Sequence, residues 1–515
     1  MCGIFYIHLS EKKKQNKILN NIQNIIQKIK YRGPDKINME THHDFIMVHT
    51  LLAIQGFEKQ PMKHNNKILL FNGEIYGTSL LDYTQNSNFL KIPDEFKNDG
   101  KFLIDFFENK NGLENLDILD GEFVINYFDF DNNRLHLITD PFYTKPLCIY
   151  NNNGNFIVSS YESCIIEALK TLQLYNTNSQ KIIKFLRPNT HYVIDLNTYK
   201  VLSKKEIIKW DFIPRFNDFS RWNNAFENSV KKRTDTDKKI FVPLSSGYDS
   251  GCICASLLNL TKKFDTYTFK GRENKNILEQ RKVNIEKDEV NKFTYIDTKK
   301  NISNKYEEYC TRIENSYAFH QNGNIYADIY GAYSCFGMYQ IFQEARERGQ
   351  IIFLSGHGGD EIFSDYGNVE NRGASSLCLD YTNIREKWPN FDSSYGRNII
   401  QMFERVAGCY GIESRYPFLD KQVVQEFLWL GDGLKNKEFK QCIAQYMRKS
   451  DFPFLQNKKC SVRVLTDEDG GHESFFKIAE GIQKKLGLYN KYINKPTNNN
   501  LFWKQNGIHY WPPVL

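Results

Sequence analysis

The sequence predicts two domains of different class: an α+β domain over residues 1–205, then an α/β domain with a doubly wound parallel sheet over 206–515. Three observations predict this. Short β-rich runs punctuated by Asn, Gly and Asp fill most of the first 205 residues. Beyond residue 219 the rhythm changes to strand, turn, helix. Two apolar runs in that second part, 240–244 and 351–354, each end in a turn of small residues, the pattern of parallel strands whose carboxyl ends meet a ligand.

In chain order, Ile18, Ile22, Ile25, Ile26 and Ile29 form an apolar stripe at helical spacing, and the runs at 67–71, 121–127 and 134–138 read as strands. The polar tract 203–219 marks the domain join. After the apolar run at 240–244 and its turn, residues 251–260 read as a helix. The polar stretches 274–297 and 304–314 read as loops and exposed helices, and 466–515 carries no pattern that assigns it.

Bulk properties exclude several classes. A 515-residue chain with 41% hydrophobic residues can bury more than one core, so it is not a disordered protein. The net charge of +7 is spread over interleaved Lys and Glu, with no basic block, which argues against nucleic acid as a partner. The apolar runs fall well short of the roughly 18 residues that span a membrane. The start, Met1-Cys2-Gly3-Ile4-Phe5, lacks a signal-peptide layout. Eleven cysteines, an odd number without a CxxC pair, indicate neither a disulfide framework nor a zinc site. A reduced, cytoplasmic protein is expected.

Cys2 is the first chemical feature. With Met1 removed it carries a thiol and a free α-amine, whose ordinary pKa near 8 suits it to activate that thiol. Asn72 and Gly73 follow an apolar run, and an Asn side chain with a Gly N–H at a strand end can form an oxyanion hole. In order along the chain stand Cys2-Gly3-Ile4, Tyr31-Arg32-Gly33-Pro34-Asp35, Asn72-Gly73-Glu74-Ile75-Tyr76, Gly121-Glu122-Phe123, and Asp140-Pro141-Phe142 through Lys145-Pro146-Leu147. Together they resemble the glutaminase domain of class II, N-terminal-nucleophile (Ntn) amidotransferases. The resemblance implies an αββα sandwich in which Cys2 attacks the side-chain amide of glutamine and Asn72 and Gly73 hold the oxyanion. It places Glu74, Asp99 and position 51 at the bound glutamine. Position 51 departs from that family, whose His-x-Arg-Leu run grips the glutamine α-carboxylate. Here the run reads His49-Thr50-Leu51-Leu52, and no Arg occurs between Arg32 and Arg134. Losing a bidentate clamp is expected to weaken glutamine by ~2–4 kcal/mol.

The second feature is Leu244-Ser245-Ser246-Gly247-Tyr248-Asp249-Ser250, joining a strand to a helix. Small residues let backbone N–H groups close on an anion at a helix N-terminus, and Asp249 can hold Mg²⁺. The Gly-Lys-Ser/Thr of a Walker loop is absent. The run is similar to the pyrophosphate loop of ATP pyrophosphatases, with Ser246 at a glycine position. Leu354-Ser355-Gly356-His357-Gly358-Gly359-Asp360-Glu361 and Glu413-Ser414-Arg415-Tyr416-Pro417-Phe418-Leu419-Asp420 resemble asparagine synthetases in the same order. The resemblance covers about residues 1–450 and implies ATP and Mg²⁺ as cofactors. It puts Leu244, Ser245, Ser246, Gly247, Ser250, Phe269, Ser355 and Gly356 at the nucleotide and Asp249 and Asp360 on the metal. Lys437 is the expected lysine of the β,γ-phosphates. At position 357 the family has Glu; His357 could serve as the catalytic base that takes a proton from the nucleophile.

The expected activity is amidation of a carboxylate with ATP cleaved to AMP and pyrophosphate and glutamine as nitrogen donor, aspartate being the default acceptor. Two alternatives stay open: a relative in which another amine attacks, as in β-lactam synthetases, and a non-catalytic binding protein that keeps the fold. A homodimer is an optional assembly; no nucleic-acid or membrane partner is expected.

Overall fold

The computed structural model describes residues 1–84, 89–96, 98–109, 111–176, 179–269, 273–297, 301–314, 318–321, 324–329, 333–363, 395–435, 437–456 and 471–488. The remainder of the 466–515 tail lies outside the described residues.

The N-terminal part is four layers. A six-stranded antiparallel sheet runs in the order Lys184–Phe185, Cys148–Asn152, Asn155–Ser159, Gly3–His8, Phe45–Leu51, Lys36–His42. A seven-stranded sheet runs Val201–Glu206, Thr190–Asp195, Arg134–Thr139, Leu119–Asp129, Lys67–Thr78, Met62–His64, with Leu90–Lys91 paired beside the long Lys67–Thr78 strand. Ile4, Tyr6, Phe45 and Met47 of one sheet meet Ile68, Leu70, Val124 and Phe128 of the other in a shared core. Helices Lys12–Ile25 and Glu162–Thr171 cover the first sheet, the former through Ile18, Ile22 and Ile25. Helix Asp99–Asn109 covers the second through Phe102, Leu103 and Phe106. This is the expected αββα sandwich. The isoleucine stripe is split, however: the long helix stops at Ile25, and Ile29 starts a separate short helix, Ile29–Arg32.

The C-terminal part is built on a five-stranded, all-parallel sheet in the order Lys292–Ile296, Asp265–Phe269, Lys239–Pro243, Gln350–Leu354, Glu413–Arg415. Lys239–Pro243 comes first in sequence yet sits centrally. Chain direction across the sheet therefore reverses between it and Gln350–Leu354, and ligands of such sheets bind outside the carboxyl ends at that point. One expectation is corrected here: besides a helix, Lys275–Glu286, as expected, the polar stretch 274–297 contains the edge strand Lys292–Ile296. An edge strand with one open side alternates too weakly for its pattern to stand out.

The two parts share buried charges. Arg233 donates to Glu122 at 2.7 Å and to Asp420 at 2.7 Å, while Lys232 reaches Asp120 and Asp420 at 2.6 and 2.5 Å. Arg32 meets Glu404 at 3.2 Å. Removing one member of such a pair leaves an uncompensated buried charge, at a cost of about 3–5 kcal/mol.

Candidate active sites

The first site lies where the opening strand of one sheet faces the long strand of the other. The N–H of Cys2 donates to Asn72 Oδ1 at 2.7 Å, so the Asn72 side chain is fixed against the nucleophile's own backbone. Its other end, Nδ2, is buried without a hydrogen-bond partner. Buried orphan donors are costly and therefore rare, and one aimed beside a nucleophile matches what an oxyanion needs. Gly73 follows with φ +136°, and a Cβ there would lie 1.9 Å from the Glu122 carbonyl oxygen, so only glycine fits. The position differs from the expectation in one respect. Asn72 and Gly73 are not at a strand end but midway along Lys67–Thr78, opposite Val124 and Phe123. The backbone irregularity that aims them is local to the glycine.

Cys2 is buried, and burial pushes its thiol up, partly offset by the N-terminal ammonium. Around it are Leu51, Leu52, Glu74, Asp99 and, from the other domain, Glu413. The Met1 amine meets Glu413 Oε2 at 2.8 Å. Burial alone raises Glu413, but that ammonium, then Arg415 and Lys145, overcome it and hold the carboxyl at about 2. Asp99 is pushed up to about 7 by burial and by Glu413, against the Ile75 N–H that it accepts at 3.3 Å. Glu74 is raised well above the ordinary range by burial, with Arg415 pulling it down and Glu413 and Asp99 pushing it up. Sequence reasoning missed Glu413 and Arg415 as neighbours of Cys2. Their charged pair two residues apart in an otherwise uncharged run, 410–419, was the available signal.

The second site lies at the reversal point of the parallel sheet. After strand Lys239–Pro243 come Leu244, Ser245, Ser246 and Gly247, then helix Tyr248–Asn259. Ser250 Oγ accepts the Ser245 N–H at 3.0 Å, and the Gly247 N–H donates to Ser245 Oγ at 3.0 Å, so the loop braces itself. The N–H and hydroxyl of Ser246 both donate to Glu273. The neighbouring strand ends in Ser355 and Gly356. A Cβ on Gly359 would sit 2.4 Å from Asp249 Oδ1, so the second loop closes on the first only because that residue is glycine. Phe269 is buried at the carboxyl end of the strand Asp265–Phe269.

Asp249 and Asp360 converge here, on a lysine the sequence had not singled out. Lys440 Nζ lies 2.6 and 2.7 Å from the two Asp249 oxygens and 2.8 Å from Asp360 Oδ1. Burial lowers Lys440, but Asp249 and Asp360 overcome it and raise the ammonium above its ordinary value. Lys437, the expected lysine, is exposed. Three residues apart, the two face different surroundings, and only Lys440 reaches the loop. Two converging carboxylates beside an anion loop are a donor set that suits Mg²⁺, which takes one or two carboxylates plus phosphate oxygens. His357 Nδ1 is 2.6 Å from Ser355 Oγ, and its ring lies 4.5 Å from that of Phe403. Burial pushes it down to about 4, against the pull of Asp360.

The glutamine amidotransferase domain family matches residues 1–204, and the asparagine synthase family matches 221–388. The chain belongs to the asparagine synthetase family. A protein named asparagine synthetase 1, glutamine-hydrolysing, from Methanocaldococcus jannaschii is 26% identical over 74% of this chain and 68% of its own length. The glutamine-hydrolysing asparagine synthetase of Homo sapiens is 24% identical over 84% of this chain and 77% of its own. Among solved structures, the glutamine phosphoribosylpyrophosphate amidotransferase of B. subtilis aligns at 14% identity and TM-score 0.26, over 47% of this chain and 60% of that one. The two domains and these relatives indicate a glutamine-hydrolysing ligase. No described helix is long and apolar enough to cross a membrane.

Proposed function

We propose that the chain couples hydrolysis of a glutamine side-chain amide at Cys2 to ATP-driven amidation of a carboxylate, aspartate by default, at the parallel sheet. One observation carries this reading: the buried, unpartnered Nδ2 of Asn72, held beside Cys2 because the Asn72 Oδ1 accepts the Cys2 N–H. After Met1 is removed, the Cys2 amine takes the thiol proton as Sγ attacks the amide carbon. Asn72 Nδ2 and the Gly73 N–H receive the charge that develops on oxygen. The C–N bond then breaks, the proton leaves with ammonia, and water cleaves the thioester to a carboxylate and the free thiol.

At the second site the loop 244–247 and the N-terminal end of helix Tyr248–Asn259 hold phosphate. Asp249 and Asp360 would hold Mg²⁺, which supplies charge neutralisation for a leaving pyrophosphate. Lys440 supplies a fixed cation at the same place, Leu244 and Phe269 flank the base, and Ser355 and Gly356 close the loop pair. His357, neutral and facing the same pocket, takes the proton of the attacking nitrogen. That neutrality favours a second reading as well: a site without a fixed negative charge at position 357 does not attract ammonium and could serve another amine. Incubation with ATP, Mg²⁺, aspartate and either glutamine or ammonium, followed by mass spectrometry, tests both. Asparagine, AMP and pyrophosphate are expected; ADP and phosphate would overturn the pyrophosphatase-loop reading, and AMP without asparagine would favour a different acceptor or amine.

A further inference from the structure

The pocket around Cys2 is charged in a way that hydrolysis of free glutamine does not ask for. Four carboxylates line it, those of Glu58, Glu74, Asp99 and Glu413. Among the described residues no Lys, Arg or His does; the one cation inside is the Met1 amine, which is lost from this place when Met1 is removed. The nearest side-chain cations are already engaged. Lys101 lies 2.6 Å from Glu58, and Arg415 lies 2.8 Å from Glu413 and 3.3 Å from Glu74. The uncharged lining is apolar at Leu51, Leu52 and Ile54 and carries amides at Gln55, Gln60 and Asn98.

A donor entering this pocket meets carboxylates suited to an α-ammonium and, among the described residues, no side-chain cation to pair with an α-carboxylate. A free carboxylate would give up water, gain no cation, and approach the Glu413 carboxylate. An α-carboxamide has neither penalty, and its N–H can donate to the same carboxylates. The mouth of the pocket supports the same conclusion, because Gln55, Gly56 and Glu58 are exposed and leave room for chain to continue outward.

We propose that the nitrogen donor is a glutamine unit with a free α-amine and its α-carboxylate masked as an amide, either glutamine α-amide or a peptide's N-terminal glutamine. This rests on the amide-hydrolase reading of Cys2 given above. Leu51 is then the residue that sets donor specificity.

The test measures ammonia release by the full chain lacking Met1, with L-glutamine, L-glutamine α-amide and glutaminyl-glycine as separate donors. The masked donors are expected to exceed glutamine in kcat/KM by about 10-fold or more, the effect of one unfavourable charge contact. Leu51→Arg should invert that preference. Leu51→Lys should move it in the same direction, so a misfolded arginine variant does not shield the claim. The two masked donors separate a small-molecule amide from a peptide terminus. Glutamine equal to or better than both would overturn the proposal and leave the amide-hydrolase reading standing, as would an unchanged preference in both Leu51 variants. Release from none of the three, with the Cys2 thiol intact, would overturn both together.

Discussion

The two sites differ in how their charges are settled before any ligand arrives. At the parallel sheet, Asp249 and Asp360 converge on one buried ammonium, Lys440, which offsets one of their two charges. At the sandwich, carboxylates crowd together, two of them are pushed up in pKa, and a hydrogen-bond donor is left with no partner. The first arrangement is stable by itself and must rearrange to take a metal and phosphates. The second stores its imbalance and is relieved by the ligand. Carboxylates held by an internal cation speak for a site that opens by exchange; charge and donors left unsatisfied speak for one preorganised for its reaction.

Breaking each site at its centre should separate the two chemistries. Cys2→Ala is expected to reduce amide hydrolysis by about 10⁴-fold or more, since the nucleophile itself is gone. ATP consumption driven by ammonium should continue in this variant, because Cys2 takes no part at the parallel sheet; ammonia release and pyrophosphate release measured on the same preparation check this. Asp249→Ala should show the reverse. Pyrophosphate release falls by roughly 100-fold with the loss of a metal-binding carboxylate, while ammonia release from the donor persists. A loss of both activities in either variant would mean that the sites are not separable as described.

The paired lysines sharpen the comparison further. Lys440→Met should lower pyrophosphate release by about 10- to 100-fold, because it removes a buried charge-assisted contact and strands two carboxylates. Lys437→Met should stay within about 2-fold, as expected of an exposed side chain. Equal effects would mean that the loop does not depend on Lys440.

The layered N-terminal domain and the strand-turn-helix rhythm after residue 219 were legible because alternation and apolar runs report directly on burial. Cys2, Asn72, Gly73 and Asp249 were singled out by their motifs and the family resemblance, and the fold brings Asn72 against Cys2 and Asp249 to the same lysine as Asp360. Glu413 and Lys440 were not legible as site residues. Glu413 reaches Cys2 across a domain boundary, 412 positions from Met1, and no local pattern encodes such a contact. Lys440 sits in a turn with left-handed backbone, φ 48°, just before helix Gln441–Lys449, and nothing in spacing distinguishes it from Lys437. The edge strand Lys292–Ile296 was hidden behind the charged stretch 286–292 that runs into it. In each case a contact distant in sequence, not local propensity, fixes the outcome.

The pH dependence expected of His357 runs against the ordinary behaviour of histidine. A base with the usual pKa near 6.5 would lose activity as pH falls through that value. Here burial holds the ring neutral down to about pH 4. The contribution of His357 to the ligation step should therefore be flat from about pH 6 to 9, and fall only as pH approaches 4. Stability follows the same window. The unfolded chain takes up a proton on this histidine near pH 6.5 and the folded chain only near 4, so the unfolded state binds more protons between these values. Stability is then fully present above about 6.5 and declines as pH falls toward 4. His357→Ala should remove that part of the acid sensitivity of unfolding, since no group remains there to titrate, and it should slow ligation by roughly 10²–10⁴-fold if the ring is the base. His357→Gln keeps a hydrogen-bonding partner for Ser355 but cannot accept a proton at neutral pH. Restored ligation in the Gln variant would show that the ring only braces Ser355, and would shift the proton transfer to the attacking amine or to water.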